Sequence, residues 1–185
     1  MTFPQQYISQ LRSALDALDL GKVEQAIEWL RETRDAGRQI FVFGNGGSAA
    51  TASHFATDMV KGASYNRDKR FRILALTDSL PTISAYANDV SYDCVFLEQL
   101  KNFAQPGDLV MGISGSGNSP NVVLALEYAN SIGCRTLALT GRDGGKLGPA
   151  AQLNIHVPVP HMGRIEDAHM IVCHILCYQF MDCGR

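Results

Sequence analysis

The sequence predicts an α/β fold: a three-layer α-β-α sandwich with a five-stranded parallel sheet, preceded by N-terminal helices. Three observations carry this expectation. Five short runs rich in β-branched residues recur along the chain, each apolar almost throughout, as strands covered on both faces are. Longer segments with apolar residues at helical spacing separate them. Elements that alternate in this way form right-handed crossovers and a parallel sheet.

Each element has its own justification. Residues 6–18 carry Ile8, Leu11, Leu15 and Leu18 on one helical face. Residues 23–36 carry Val23, Ile27 and Leu30, and Gly37 follows as a C-terminal stop. Strands are expected at 39–43, 72–76, 108–113, 135–139 and 153–157. Helices fill 48–61, 82–103 with a break near Asn88 and Asp89, and 119–132. A last helix, 164–181, is apolar nearly all round, so it should be buried, in part against another subunit. The chain reads as one domain over 1–185, a helical segment at 1–37 followed by an α/β core at 38–185.

Composition narrows the function classes. The 185 residues are 46% apolar and 18% charged, which excludes intrinsic disorder. A chain of this size buries roughly 70% of its unfolded surface, so no disulfide or metal staple is needed for stability. The net charge of −2 gives no basic footprint for nucleic acid. One basic cluster, Lys61, Arg67, Lys69, Arg70 and Arg72, brackets Asp68; it reads as a solvated loop or as a rim that attracts phosphates. No run reaches the ~18 apolar residues of a membrane span. The N-terminus lacks the basic start and apolar block of a signal peptide, so a cytoplasmic protein without membrane partners is expected. Five cysteines, an odd number without a Cys-x-x-Cys pair, argue against a disulfide framework and a cysteine zinc site. Cys173 and Cys177 read as buried thiols.

Two loops carry the chemistry. Gly44-Asn45-Gly46-Gly47-Ser48 follows a strand and opens a helix, where bare amides and the helix dipole favour an anion. The same glycines satisfy a loose dinucleotide fingerprint, with Asp78 as a ribose-binding acid. Ser114-Gly115-Ser116-Gly117-Asn118-Ser119 lies between the third strand and a helix with Pro120 at its first position. Its three hydroxyls suit a phosphate monoester, whose oxygens need many donors; a plain turn with Ser119 as helix cap is the bland alternative. Two such loops at the carboxyl ends of parallel strands predict a ligand crevice. Thr140 to Lys146 is not a nucleoside-triphosphate loop, since Leu147 follows the lysine; it reads as a turn bounding the same pocket.

Titratable residues also stand on apolar helices. His54 and Asp58 are four apart and share a face. Glu166 and His174 lie eight apart on the last helix, with His169 between them. Each alone reads as a satisfied core residue, but burying several without function is costly. Two histidines and two carboxylates can hold a divalent metal such as zinc. A carboxylate and a histidine flanking a sugar carbonyl can equally serve as base and acid.

The ordered series Gly44 to Ser48, His54-Phe55-Ala56, Asn88-Asp89, Gly112 to Ser119, Leu139-Thr140-Gly141 with Asp143 to Lys146, and Arg164-Ile165 through His174 resembles the sugar isomerase (SIS) domain. It is most similar to the phosphoheptose isomerases, from about residue 5 to 182. The resemblance implies the SIS fold and an aldose–ketose isomerase. That enzyme converts sedoheptulose 7-phosphate to D-glycero-D-manno-heptopyranose 7-phosphate through an enediol. It also implies homotetramers with active sites between subunits. Carried onto this sequence, Ser114, Gly115, Ser116 and Ser119 would bind the phosphate; Asn45, Gly46, Ser48, Asp89 and Glu166 would touch substrate. Asp58 and His174 would be catalytic, and His54, Asp58, Glu166 and His174 would hold one Zn2+ per subunit.

Four positions depart from the family pattern. Asp58 stands for Glu, Glu166 for Gln, Gly115 for Thr, and Gly163 for an expected Asp. A base moved by about 1 Å loses on the order of 100-fold in rate unless substrate or metal moves with it. A sugar-phosphate-sensing or protein-binding SIS module without turnover is the alternative these changes motivate. A nicotinamide-binding oxidoreductase would leave the serine loop without a task.

Overall fold

The computed structural model describes residues 1–183. Two helices lead in. Helix α1 (Phe3–Asp16) starts earlier than the apolar pattern, because Pro4 suits a first helical turn and Gln5 Oε1 accepts the Thr2 N–H at 2.9 Å. Helix α2 (Leu20–Asp35) is capped by Asp19, whose side chain accepts from the Lys22 N–H. It ends in a Schellman motif at Gly37, φ +66°, with the Arg38 N–H on Thr33 O at 2.9 Å and the Gly37 N–H on Arg34 O at 3.0 Å.

The strands are β1 (Gln39–Gly44), β2 (Arg72–Ala75), β3 (Leu109–Ser114), β4 (Arg135–Gly141) and β5 (Leu153–Val157). All pair in parallel in the order β2-β1-β3-β4-β5. This is the five-stranded parallel sandwich expected. Central strands are buried on both faces: Ile40 and Val42 feed one core while Phe41 and Phe43 feed the other. The expectation that all five strands are covered on both faces fails at the edges. In β2, Arg72 and Leu74 are exposed, because helices cover only one of its faces, and β5 alternates buried with half-buried residues, because only the short helix Leu147–Ala150 lies against its second face.

Helices α3 (Gly47–Thr57) and α8 (Met162–Asp182) join α1 and α2 on the first core, with Phe55, Ile165, Val172, Leu176 and Phe180 buried there. Helices α4 (Leu80–Asp89), α5 (Leu97–Phe103), α6 (Pro120–Ser131) and the short α7 (Leu147–Ala150) lie over the second, where Phe96, Leu100, Val122, Leu126 and Leu147 are buried. The break near Asn88 and Asp89 is present: α4 stops at Asp89 and a 3-10 turn at Tyr92–Cys94 precedes α5. The helix expected over 48–61 is corrected. It is α-helical to Thr57 and continues as a π turn, Asp58–Gly62, with the Ala63 N–H on Asp58 O at 2.9 Å. Gly62 has Met181 Sδ 2.7 Å from the place of a Cβ, so this turn lets α8 come close.

The sheet order reverses between β1 and β3, which creates a crevice outside their carboxyl ends. Both glycine-rich loops leave the sheet there. Among the described residues no helix is long and apolar enough to cross a membrane. The cysteines are unpaired, and burial pushes the Cys173 thiol up in pKa and that of Cys177 up to about 12.

Candidate active site

The first loop is tight because glycine lets backbones meet. A Cβ on Gly44 would lie 2.7 Å from both Ile113 O and Ser48 Cβ. Gly46, φ +54°, then turns the chain into α3. Ser48 is buried in the first turn. The place of a Cβ on Gly47 is taken by the carboxylate of Glu166, with Oε1 at 2.6 Å. The helix start expected to attract an anion thus has one from the protein beside it.

The second loop gathers hydroxyls. Ser114 Oγ lies 3.4 Å from Ser116 Oγ and 3.2 Å from Ser119 Oγ. Ser119 is the N-cap residue of α6, yet its side chain makes no capping bond. Its hydroxyl meets that of Ser114 instead, so the plain-cap reading fails. The third loop braces the second. A Cβ on Gly117 would sit 2.1 Å from Gly144 O, the Leu147 N–H donates to Gly117 O at 2.8 Å, and the Lys146 N–H donates to Asn118 Oδ1 at 3.1 Å. At Gly115 the space for a side chain is filled by Met162, with Sδ 2.5 Å from the place of a Cβ. At Gly163 the Tyr7 hydroxyl lies 2.9 Å from that place and donates to Asp167 Oδ2 at 2.7 Å. Two departures from the family pattern therefore have local reasons: other side chains occupy the space.

Helices α3 and α8 then bring distant residues together. His54 Nε2 is 3.2 Å from Asp58 Oδ2 and 3.3 Å from His174 Nε2, and His174 Nε2 is 3.8 Å from the same oxygen. The imidazoles meet edge to face at 67°. Glu166 beside Gly47 and His174 beside His54 show that α3 and α8 run side by side in the same direction. The trio lies about 10 Å along α3 from its first residue, seven residues at ~1.5 Å each. The side chains remain open, at 49%, 42% and 27% exposure for His54, His174 and Asp58.

Two bare imidazole nitrogens at this distance repel, so a proton or a cation belongs between them. Tetrahedral zinc with bonds of about 2.0–2.2 Å sets its ligand atoms about 3.3 Å apart, near the separations found here. Three donors fit such an ion. Glu166, the fourth ligand the resemblance implies, is not among them. Asp89 is exposed at the end of α4, where the Asn88 amide donates to Oδ1 at 2.8 Å. His169 is buried as a neutral ring: Nε2 meets Thr140 O at 3.1 Å, Nδ1 has no partner, and burial lowers its pKa to about 4.

Sequence reasoning missed the support of Asn45. Asn45 and Asn121 exchange two amide hydrogen bonds, each 2.9 Å, and the Tyr92 hydroxyl donates to Asn45 Oδ1 at 3.0 Å. The one available signal was a polar residue, Asn121, heading the apolar run of α6.

A five-stranded parallel sheet whose order reverses between β1 and β3, with a glycine-rich loop leaving each of those strands, defines a doubly wound α/β protein. A model of the SIS domain matches residues 5–141, and the chain belongs to the SIS domain family. Within it the chain falls among the phosphoheptose isomerases. It is 42% identical over 155 residues to the phosphoheptose isomerase of Citrifermentans bemidjiense, covering 84% of this chain and 80% of that one. It is 40% identical over 169 residues to that of Geobacter sulfurreducens, covering 90% and 89%. The structure of phosphoheptose isomerase GmhA from Neisseria gonorrhoeae matches with a TM-score of 0.87 at 30% identity, over 97% of this chain and 98% of that one.

Proposed function

We propose that this chain interconverts sedoheptulose 7-phosphate and D-glycero-D-manno-heptopyranose 7-phosphate through an enediol. The observation that carries the reading is the meeting of His54, Asp58 and His174 between α3 and α8, in a chain whose second loop gathers three serine hydroxyls. Ser114, Ser116 and Ser119 take the phosphate, with Gly115 contributing backbone. Asn45, Gly46, Ser48 and Asp89 take the sugar, and Glu166 lies over the sugar-binding loop.

Of Asp58 and His174, one takes the proton from C1 and the other protonates the oxygen on C2. The proton then returns to C2 as the C1 hydroxyl loses its own, which leaves an aldehyde at C1. In the alternative, metal-ligand role of Asp58 and His174, these two residues and His54 would hold zinc, and the ion would supply a fixed charge that polarises the sugar carbonyl. Asp58 reaches the histidines although it is one methylene shorter than glutamate, so the departure there is compatible with this role.

The active form is a homotetramer with sites at subunit boundaries. Support comes from Ile175 and Tyr178, which are 40% and 47% exposed on α8 next to His174. Unpaired cysteines support a reducing, cytosolic setting.

Proton NMR with sedoheptulose 7-phosphate in D2O, with and without added zinc, tests the function. New anomeric heptose signals with deuterium at C2 are expected. A folded protein that produces none under either condition would overturn the isomerase reading and leave a sugar-phosphate-sensing module.

A further inference from the structure

The amide of Asn45 has its orientation dictated from the backbone outward. The Val122 N–H can only donate, and it lies 3.0 Å from one side-chain atom of Asn121. That atom is therefore the oxygen. The same oxygen lies 2.9 Å from Asn45, so the Asn45 atom facing it is the nitrogen. The other Asn45 atom is then the oxygen, and it accepts from Asn121 Nδ2 at 2.9 Å and from the Tyr92 hydroxyl at 3.0 Å. An amide oxygen has two lone pairs, and both are used. An amide nitrogen has two hydrogens, and one is used. Asn45 thus keeps a single N–H without a protein partner among the described residues. It has no accepting capacity left.

We propose that Tyr92 and Asn121 are positioning residues that lock Asn45 as a one-hydrogen donor to an oxygen of the bound sugar phosphate. This rests on the isomerase reading of the crevice. Three separate elements make the lock: Asn45 follows β1, Asn121 opens α6, and Tyr92 opens the 3-10 turn between α4 and α5. Asn121 is buried to 1% exposure, so its two Asn45 bonds are shielded from water. Tyr92 is half exposed and its phenol ring is not needed for the core, so its hydroxyl can be removed without unfolding the site. The consequence for selectivity is chemical. A ligand hydroxyl that meets Asn45 must accept there and donate its own hydrogen elsewhere.

The test uses the full chain, with Tyr92→Phe, Asn45→Ala and the double variant, assayed on sedoheptulose 7-phosphate. Tyr92→Phe is expected to lower kcat/KM about tenfold, the upper end of the scale for one hydrogen bond. Its thermal midpoint and its stabilisation by inorganic phosphate should stay at wild-type values. In the Asn45→Ala background the same change should cost less than about twofold, because two residues of one network are not additive. Asn121→Asp, which sets a carboxylate oxygen against Asn45 Oδ1, should cost more than Tyr92→Phe.

Wild-type kinetics in Tyr92→Phe would overturn the proposal. So would an undiminished loss in the Asn45→Ala background, which would mean that Tyr92 touches the ligand itself. A second readout needs no turnover: the Asn45 side-chain NH2 resonances, assigned by their loss in Asn45→Ala. They should shift in Tyr92→Phe, and unchanged resonances would show that the lock is absent. If the wild type neither binds nor converts the sugar, the isomerase reading fails, and these resonances alone decide the lock.

Discussion

The loop at 114–119 and the cluster of His54, Asp58 and His174 are built in opposite ways. The loop is fixed by backbone: Gly117 lies against Gly144 and Gly145 without room for a side chain, and main-chain bonds tie it to the start of α7. The cluster is fixed by two helices, and its side chains stand half open to solvent. A phosphate needs many donors in a set geometry, which a braced loop supplies. Proton transfer needs groups that change partner during the reaction, which side chains on the rims of neighbouring helices can do. The difference predicts that changes at the glycine that braces the loop damage folding and binding together, whereas changes at the cluster stop the chemistry and leave the fold.

The largest effect should come from Gly117→Ala. Its Cβ would sit 2.1 Å from a carbonyl oxygen at φ +66°, so denaturant unfolding should show a loss of several kcal/mol. Gly37→Ala is the control, with φ +66° but nothing within 4 Å; it should cost about 1 kcal/mol. Equal losses at the two sites would break the claim that contact, rather than φ, holds the loop. Next come Asp58→Ala and His174→Ala, which should lower kcat on the order of 1,000-fold while thermal melting stays within a few degrees. Retained turnover in both would remove them from the chemistry.

The buried His169 sets a third effect. Its folded pKa, near 4, lies below the ordinary value of 6.5, so the unfolded chain takes up its proton first as pH falls. Stability should therefore decline from about pH 6.5 down to about 4, by roughly 3 kcal/mol from this group. His169→Gln should flatten that limb in urea titrations at several pH values, and an unchanged slope would assign the acid loss to other groups. The smallest effect is Ser119→Ala. Its hydroxyl does not cap α6, so stability should hold within about 0.5 kcal/mol while KM rises about tenfold through one lost phosphate donor.

Much of the fold was legible because each element states its own case. Gly37 marks the end of α2, and the alternation of strand and helix dictates the parallel order. The edges of the sheet were less legible, since β2 and β5 carry enough apolar residues to pass for central strands. The π turn at Asp58 was hidden because the contact that goes with it, Met181 on Gly62, comes from far along the chain. At the site, the serine loop could be read locally. Glu166 could not be placed, because its position over Gly47 follows from how α8 lies on α3. The Asn45 support was invisible for the same reason: Asn121 is 76 positions away and Tyr92 is 47.

Met162 in the space beside Gly115 ties together what these two positions tolerate. A threonine at 115 needs room that the thioether end of Met162 now occupies, so regaining the hydroxyl requires that flexible side chain to turn aside. Shortening Met162 would remove the need for that shift. A chimera that grafts only a relative's 114–119 segment onto this chain would displace Met162, whereas one that also carries the start of α8 would not. Residues 115 and 162 are therefore linked in what they accept, although they stand 47 positions apart.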